Sequence, residues 1–269
     1  MLLRRLIWLA LVLALAVGSV QTLLQHHFAL PLIQTAETFE DQAPVPPALA
    51  HAHEPAQAHD HVHDASAWTP QDGAERTFWT WVANVLENLA LALMLLVAFA
   101  ARELWRGLAA APSAAPWRVA GVALAGFVGL HLWPSLGLPA ELPGAQAADL
   151  LQRQMAWGLA SVCALLACAV LGWARFAGVW RFALALALLA LPFAVGFPHA
   201  GDPYAAFGPQ AHQILTNLTG RFVGVSHLLA VVQWLALGAG AAWLAPRFLQ
   251  PLLRPAGLRP AALATGEAR

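Results

Sequence analysis

The chain has 269 residues, of which 59% are hydrophobic and only 10% are charged. A soluble domain usually carries about 25% charged residues, so this composition excludes an ordinary soluble globular protein. The 14 basic residues, all arginine, balance 14 acidic ones, and this balance gives no reason to expect nucleic acid as a partner. Cys163 and Cys168 lie together in an apolar stretch and suggest neither a disulfide framework nor a cysteine metal site.

Six apolar segments of bilayer-spanning length follow one another along the chain. They occupy roughly residues 6–25, 79–101, 118–136, 156–174, 180–197 and 222–245. Only residues 175–179 separate the fourth from the fifth, so the two form either a tight hairpin or one broken segment, and five spans remain possible. The pattern predicts an all-α, polytopic membrane bundle of about six helices with a long His-rich outer loop.

We expect four parts in the chain. They are a first transmembrane helix (1–25), a periplasmic His-rich loop (26–78), a transmembrane bundle (79–245) and a disordered cytoplasmic tail (246–269). The first segment follows Arg4 and Arg5 and could be a cleaved signal peptide, but it lacks a convincing small-x-small site. We therefore expect it to remain as a span.

The arginines indicate which side of the membrane each loop faces. If the N-terminus is inside, the outer stretches hold only Arg76, Arg153 and Arg221, and the other 11 of the 14 arginines are cytoplasmic. This excess is the one that the positive-inside rule describes. It predicts six spans with both termini in the cytoplasm.

On this topology all 11 histidines lie on or near the outer side. Five of them share one short acidic stretch, and neutral imidazole is the commonest side-chain ligand for transition metals. Their i, i+2 spacing suits a flexible segment wrapped around an ion, so we expect a metal-collecting loop of low selectivity, the alternative being a merely solvated polar loop. The predicted ligands in this tract are His51, His53, His59, Asp60, His61, His63 and Asp64.

Glu87 is the only acidic residue deep within an apolar span. A carboxylate in the hydrocarbon region costs at least about 2.5 kcal/mol unless it faces a polar cavity or a partner. Asn84 shares its helix face, and Asn88 continues the row of Asn84 by i+4 spacing. We predict an ion pathway or proton relay here; the alternative is a protonated Glu87 bonded to a neighbouring helix.

Further candidate ligands lie closer to the outer surface. His131 and His227 fall in the outer parts of separate spans and could converge, although a lone histidine in a span is more often a packing residue. His199 and Asp202 occupy a compact outer turn. With Glu37 and Glu40 after the first span, the predicted route runs from Glu37, Glu40, His199 and Asp202 to His131, His227 and Glu87.

Several motifs are missing from the sequence. It contains no G-x-x-x-x-G-K-[ST] phosphate loop, no convincing Ser/His/Asp arrangement and no CxxCH haem motif. We therefore predict a protein that is not an enzyme and that has no organic cofactor.

Several blocks, taken in order, resemble the CbtA family of predicted cobalt transporter subunits. The most specific is the Leu-Gly-Leu-Pro-x-Glu-Leu-Pro-Gly block at residues 136–144. The others are residues 31–33 with 36–40, the His/Asp tract leading into 68–73 and 75–77, 125–127, 134–135, 153–154 with Trp157, and 198–199.

The resemblance implies a subunit for uptake of divalent cobalt in a bacterial inner membrane, with nickel or zinc as other possible substrates. It also implies a partner, a small single-span His-rich CbtB-like subunit, and five spans rather than six. A rival interpretation is a membrane metal sensor or chaperone that binds ions without moving them. An exporter that releases ions into a His-rich sink would have a similar sequence.

Overall fold

This computed structural model describes residues 2–40, 70–105, 116–173 and 178–249, which contain helices but no strand. Four of the helices, α1, α3, α6 and α8, are long and apolar enough to cross a membrane. The elements are α1 (Leu2–Phe28), α2 (Leu30–Glu40), α3 (Ala74–Trp105), α4 (Pro116–Phe127), a π-helical turn (Val128–Leu132), α5 (Trp133–Ser135), α6 (Leu150–Trp173), α7 (Trp180–Val195) and α8 (Pro209–Phe248).

The prediction of an all-α, polytopic membrane protein is confirmed. The two remaining predicted spans coincide with shorter or interrupted helices. Residues 116–135 form one continuous helical stretch through α4, the π-helical turn and α5, and α7 is a 16-residue apolar helix. At 1.5 Å per residue α7 is about 24 Å long. It packs against α6, as the predicted tight hairpin requires.

The π-helical turn has a clear local cause. Pro134 has no backbone N–H to offer to the preceding turn, and its ring crowds the carbonyl four residues earlier. The helix widens instead, and the backbone N–H of Trp133 bonds the carbonyl of Val128, five residues back. Turns of this kind are frequent at functional sites, and this one carries His131.

One end of the bundle is built around a large apolar cluster. Leu13 of α1, Phe99 of α3 and Leu237 of α8 belong to it. At its edge Arg5 Nη1 donates to the carbonyl of Phe248 at 3.2 Å. The start of α1 and the end of α8 therefore meet at this end of the bundle, which we call the arginine end because Arg5, Arg102 and Arg118 lie there.

A second, smaller apolar cluster marks the opposite end, which we call the histidine end. It joins Ala36 of α2, Leu142 and Tyr204 of two connecting loops, and Leu215 and Leu218 of α8. The cluster explains why α8 is 40 residues long and begins at Pro209, well before the expected 222. Its first turns extend past the bundle to pack on α2 and these loops.

Candidate functional site

A polar cleft of about 420 Å³ lies between α1, α2, α3, α8 and the π-helical turn. It begins at the histidine end and extends into the membrane-spanning part of the bundle. Among the side chains that line it are Gln21, Gln25, Arg76, Glu87, His131 and Gln233. Polar groups at this depth cost free energy unless they have partners or water, so their convergence on one cleft indicates a hydrophilic route.

Asn88 is the centre of a hydrogen-bonded network beside the cleft, and it has no exposed surface. Its Nδ2 donates to Gln21 Oε1 at 2.6 Å and to the carbonyl of Asn84 at 2.8 Å. Its Oδ1 accepts from Gln233 Nε2 at 3.3 Å. The network thus ties α1, α3 and α8 together at one level.

Asn84 extends the same network toward the histidine end. Its Nδ2 donates to Thr22 Oγ1 at 2.9 Å and to Gln25 Oε1 at 2.8 Å, and Thr22 Oγ1 donates to the carbonyl of Gly18 at 2.8 Å. Asn84 and Asn88 therefore face α1 and hold the wall of the cleft. Their hydrogen bonds to other helices are to α1 and α8, and none of their described bonds is to Glu87.

Glu87 lies 13 residues into α3 and lines the cleft, where its side chain is exposed. Its Oε1 accepts a hydrogen bond from Gln233 Nε2 at 3.2 Å. One amide donor leaves most of the carboxylate's acceptor capacity free for water or a cation. Glu87 therefore both lines the cleft and bonds a neighbouring helix, so the geometry contains a feature of each interpretation given for it, and the ion pathway stays a prediction.

The structure brings His131 and His227 together although they are 96 residues apart, with His131 Nε2 and His227 Nδ1 separated by 3.2 Å. The rings meet edge to face, and His131 also stacks on Phe127. Two nitrogens each about 2.1 Å from one metal ion lie about 3.0–3.4 Å apart at octahedral to tetrahedral angles. The observed spacing suits a shared ion, provided that the donating ring moves its proton to its other nitrogen.

The mouth of the cleft contains Arg76, whose charge is offset by carboxylates. Its Nη2 and Nη1 bond the two oxygens of Glu37 at 2.6 and 3.1 Å, and Nη1 also bonds Asp72 Oδ1 at 2.9 Å. Glu37 is therefore engaged by an arginine in the absence of metal. Glu40 ends α2, and its side chain lies outside the described residues.

Asp202, in the loop before α8, pairs with His212 in the first turn of α8 and not with His199. His212 Nε2 lies 2.9 Å from Asp202 Oδ2, whereas His199 is exposed. The backbone N–H of Tyr204, and then the His212 side chain, lower the pKa of Asp202 below its ordinary value.

The described residues contain no group of three His, Cys, Asp or Glu side chains placed to hold a metal ion. Pairs of such side chains do occur there, at His131–His227 and at Asp202–His212. The tract of His51, His53, His59, Asp60, His61, His63 and Asp64 lies outside the described residues.

Sequence reasoning missed the polar face of α1 and its partner on α8. Gln21, Thr22 and Gln25 occupy neighbouring positions on one face of an otherwise apolar helix, and Gln233 interrupts α8 in the same way. Their i, i+4 spacing in apolar segments was the available signal. Polar residues inside a span usually mark an internal, functional surface.

Fold and site together define a polytopic helical membrane protein with a polar cleft at one end of its bundle. The chain belongs to the CbtA family, described as a probable cobalt transporter subunit, whose model matches residues 3–246. This membership confirms the resemblance noted above, and transporter subunits are not an enzyme class. No curated protein and no solved structure matches the chain.

Proposed function

We propose that this chain takes up divalent cobalt across the bacterial inner membrane, with the polar cleft as the outer half of the ion's path. The observation that carries the proposal is the cleft itself, which brings Glu87 and His131 together with buried amides inside a bundle of apolar helices. The arginine end faces the cytoplasm in this scheme, as the positive-inside rule favours.

The ion is first gathered by the outer His/Asp tract at residues 51–64, and His199 and Asp202 take part in this step at the outer surface. It then reaches the cleft mouth, where Arg76 meets the two carboxylates of Glu37 and Asp72. That cluster has a net negative charge, which favours a cation. We propose Glu37 and Glu40 as ligands at this step, and an ion that bound Glu37 would compete with Arg76 for its carboxylate.

Deeper in the cleft, His131 supplies an imidazole ligand and His227, which contacts it from behind the cleft wall, supplies a second; Glu87 supplies a carboxylate beyond them. Two imidazoles with water complete a loose coordination shell, and conduction requires sites weak enough for the ion to leave. A potential of 100 mV, negative inside, favours inward movement of a divalent ion by about 4.6 kcal/mol, twice the per-charge value. No nucleotide is needed for that step.

Cobalt is the substrate that the family description supports. Nitrogen and oxygen ligands of this kind also bind nickel and zinc, because the order of affinities among divalent metals is much the same at different sites with such ligands. Selectivity then depends on the geometry of the His131–His227 pair and on the small single-span His-rich CbtB-like subunit, which we propose as the partner of this chain.

The His131–His227 pair gives the sharpest test. We expect H131A and H227A each to raise the cobalt concentration for half-maximal uptake at least tenfold, since even outer-shell partners of ligands contribute about 10–100-fold. H27A, which alters an exposed histidine that does not line the cleft, is the matched control. Uptake unchanged in both H131A and H227A at equal protein level would remove the pair from the path.

Deletion of residues 51–63 separates transport from simple metal binding. A transporter loses uptake at low cobalt and keeps it at high cobalt, because the loop concentrates ions and the cleft moves them. A sensor or chaperone that only binds the ion would lose its whole effect with this tract.

A further inference from the structure

A second cleft lies at the arginine end, on the opposite half of the bundle from the polar cleft. It has a volume of about 520 Å³ and lies between α3, α4, α6 and α8. Its walls are almost entirely apolar, and Arg102 and Arg118 lie at one end of it. We call this cleft the apolar groove; side chains that line it include Leu91, Met94, Val122, Leu130, Leu166 and Trp234.

The apolar groove has the length of one membrane leaflet. Along α3 it runs from Arg102 to Leu91, which is about 16 Å at 1.5 Å per residue. The hydrocarbon core is about 30 Å thick, so the groove reaches its midplane from one side only. A spanning helix from another protein would need twice this length.

The charges at the end of the groove are held in a mostly buried cluster. Glu103 lies 3.5 Å from Arg118 Nη1 and 3.8 Å from Arg102 Nη1, and the three side chains are 12–19% exposed. These separations exceed the 2.7–2.9 Å of a charge-assisted hydrogen bond. Arg118 Nε is buried with no hydrogen-bond partner in the part of the chain that the structure describes.

We propose that the apolar groove binds one anionic phospholipid of the cytoplasmic leaflet, with an acyl chain along the groove and the headgroup phosphate at Arg118 and Arg102. In the part of the chain that the structure describes, Arg118 Nε is a donor without an acceptor, and a phosphate oxygen would accept from it. Basic pockets between spanning helices on the cytoplasmic side bind lipid headgroups in this way. The apolar walls select a lipid over a free phosphate ion.

The test uses the full-length protein in detergent and counts bound lipids by native mass spectrometry. Phosphatidylglycerol is the probe and phosphatidylcholine with the same acyl chains is the comparison. We expect one phosphatidylglycerol to be retained, and R118Q to weaken its binding about fivefold, the contribution of one arginine near a membrane surface. Equal retention of the two lipids, or displacement by excess inorganic phosphate, would overturn the proposal.

A second pair of variants tests the groove without changing charge. Gly172 lines the groove and Gly158 lies on the same helix outside it, and a Cβ at either position meets no atom within 4 Å. G172L should fill the groove and abolish lipid retention, whereas G158L should not. If G172L keeps the lipid, the groove is not a lipid site. The same conclusion follows if a polypeptide bound to the unchanged protein is missing from G172L.

Discussion

At the residue scale, Asn88 shows how the cleft wall is held. Its amide bonds Gln21 on α1 and accepts from Gln233 on α8, so two interhelical contacts depend on one side chain. Hydrogen bonds between spanning helices are worth about 0.6 kcal/mol on average and up to about 1.7. Because Asn88 is fully buried, we place its bond to Gln21 above that average.

A double-mutant cycle of N88A and Q21A tests this assignment. We expect the two substitutions to be non-additive by about 1 kcal/mol in the free energy of unfolding, measured in mixed micelles. The cycle of Q21A with S161A, a distant buried polar residue on α6, serves as the additive reference. Strict additivity of N88A and Q21A would mean that the 2.6 Å contact contributes nothing.

The sequence indicated which residues were unusual, but not which residues they contact. Glu87, Asn84 and Asn88 stand out because polar groups inside a span are costly. Their partners on α1 and α8 lie 59–67 and about 145 residues away, and only helix packing brings them together. For the same reason the pairing of Glu37 with Arg76 could not be predicted from charge alone.

At the element scale, α1 and α3 approach closely at Gly18. A Cβ there would lie 2.9 Å from Val85 Cα and 3.0 Å from its backbone nitrogen. Backbone atoms cannot move aside as a side-chain end can, and small residues allow such close helix contacts in membranes. The contact lies one turn before Thr22 and sets the register of the amide network.

G18L should therefore destabilise the bundle by about 1–3 kcal/mol, the usual cost of overpacking, and should impair cobalt uptake with it. G220L on α8 is the control, since a Cβ there meets no atom within 4 Å. Unfolding in mixed micelles measures both variants. A G18L protein as stable as G220L would show that α1 and α3 are not in close contact.

The apolar runs predicted the spans because length and hydropathy are local properties. The structure adds two features that the runs did not contain. The first turns of α8 are not apolar enough to look like a span and become helical by packing on α2 and the loops. The π-helical turn depends on Pro134, and it fixes the direction in which His131 faces.

At the scale of the whole molecule, the contact between Arg5 and Phe248 places the start of α1 and the end of α8 at the same end of the bundle. That arrangement fits an even number of spans and the six predicted from arginine placement. Five spans would put these two ends on opposite sides of the membrane.

Reporter fusions test the topology directly. We expect a fluorescent protein at either terminus to be active in the cytoplasm, and alkaline phosphatase joined after Gln146, in the loop before α6, to be active outside. Fluorescence from the fusion at one terminus but not from the fusion at the other would establish an odd number of spans. It would also exclude the Arg5–Phe248 contact in the membrane.

The most direct test of the central claim is radioactive cobalt uptake by E87Q in cells that lack other cobalt importers. The CbtB-like subunit is expressed in every arm, and E141Q, which alters a loop carboxylate paired with Arg153 outside the cleft, is the matched control. The account predicts that E87Q reaches the membrane normally and loses uptake, while E141Q retains it. Normal uptake by E87Q would show that the ion does not pass Glu87 and would contradict the proposed path.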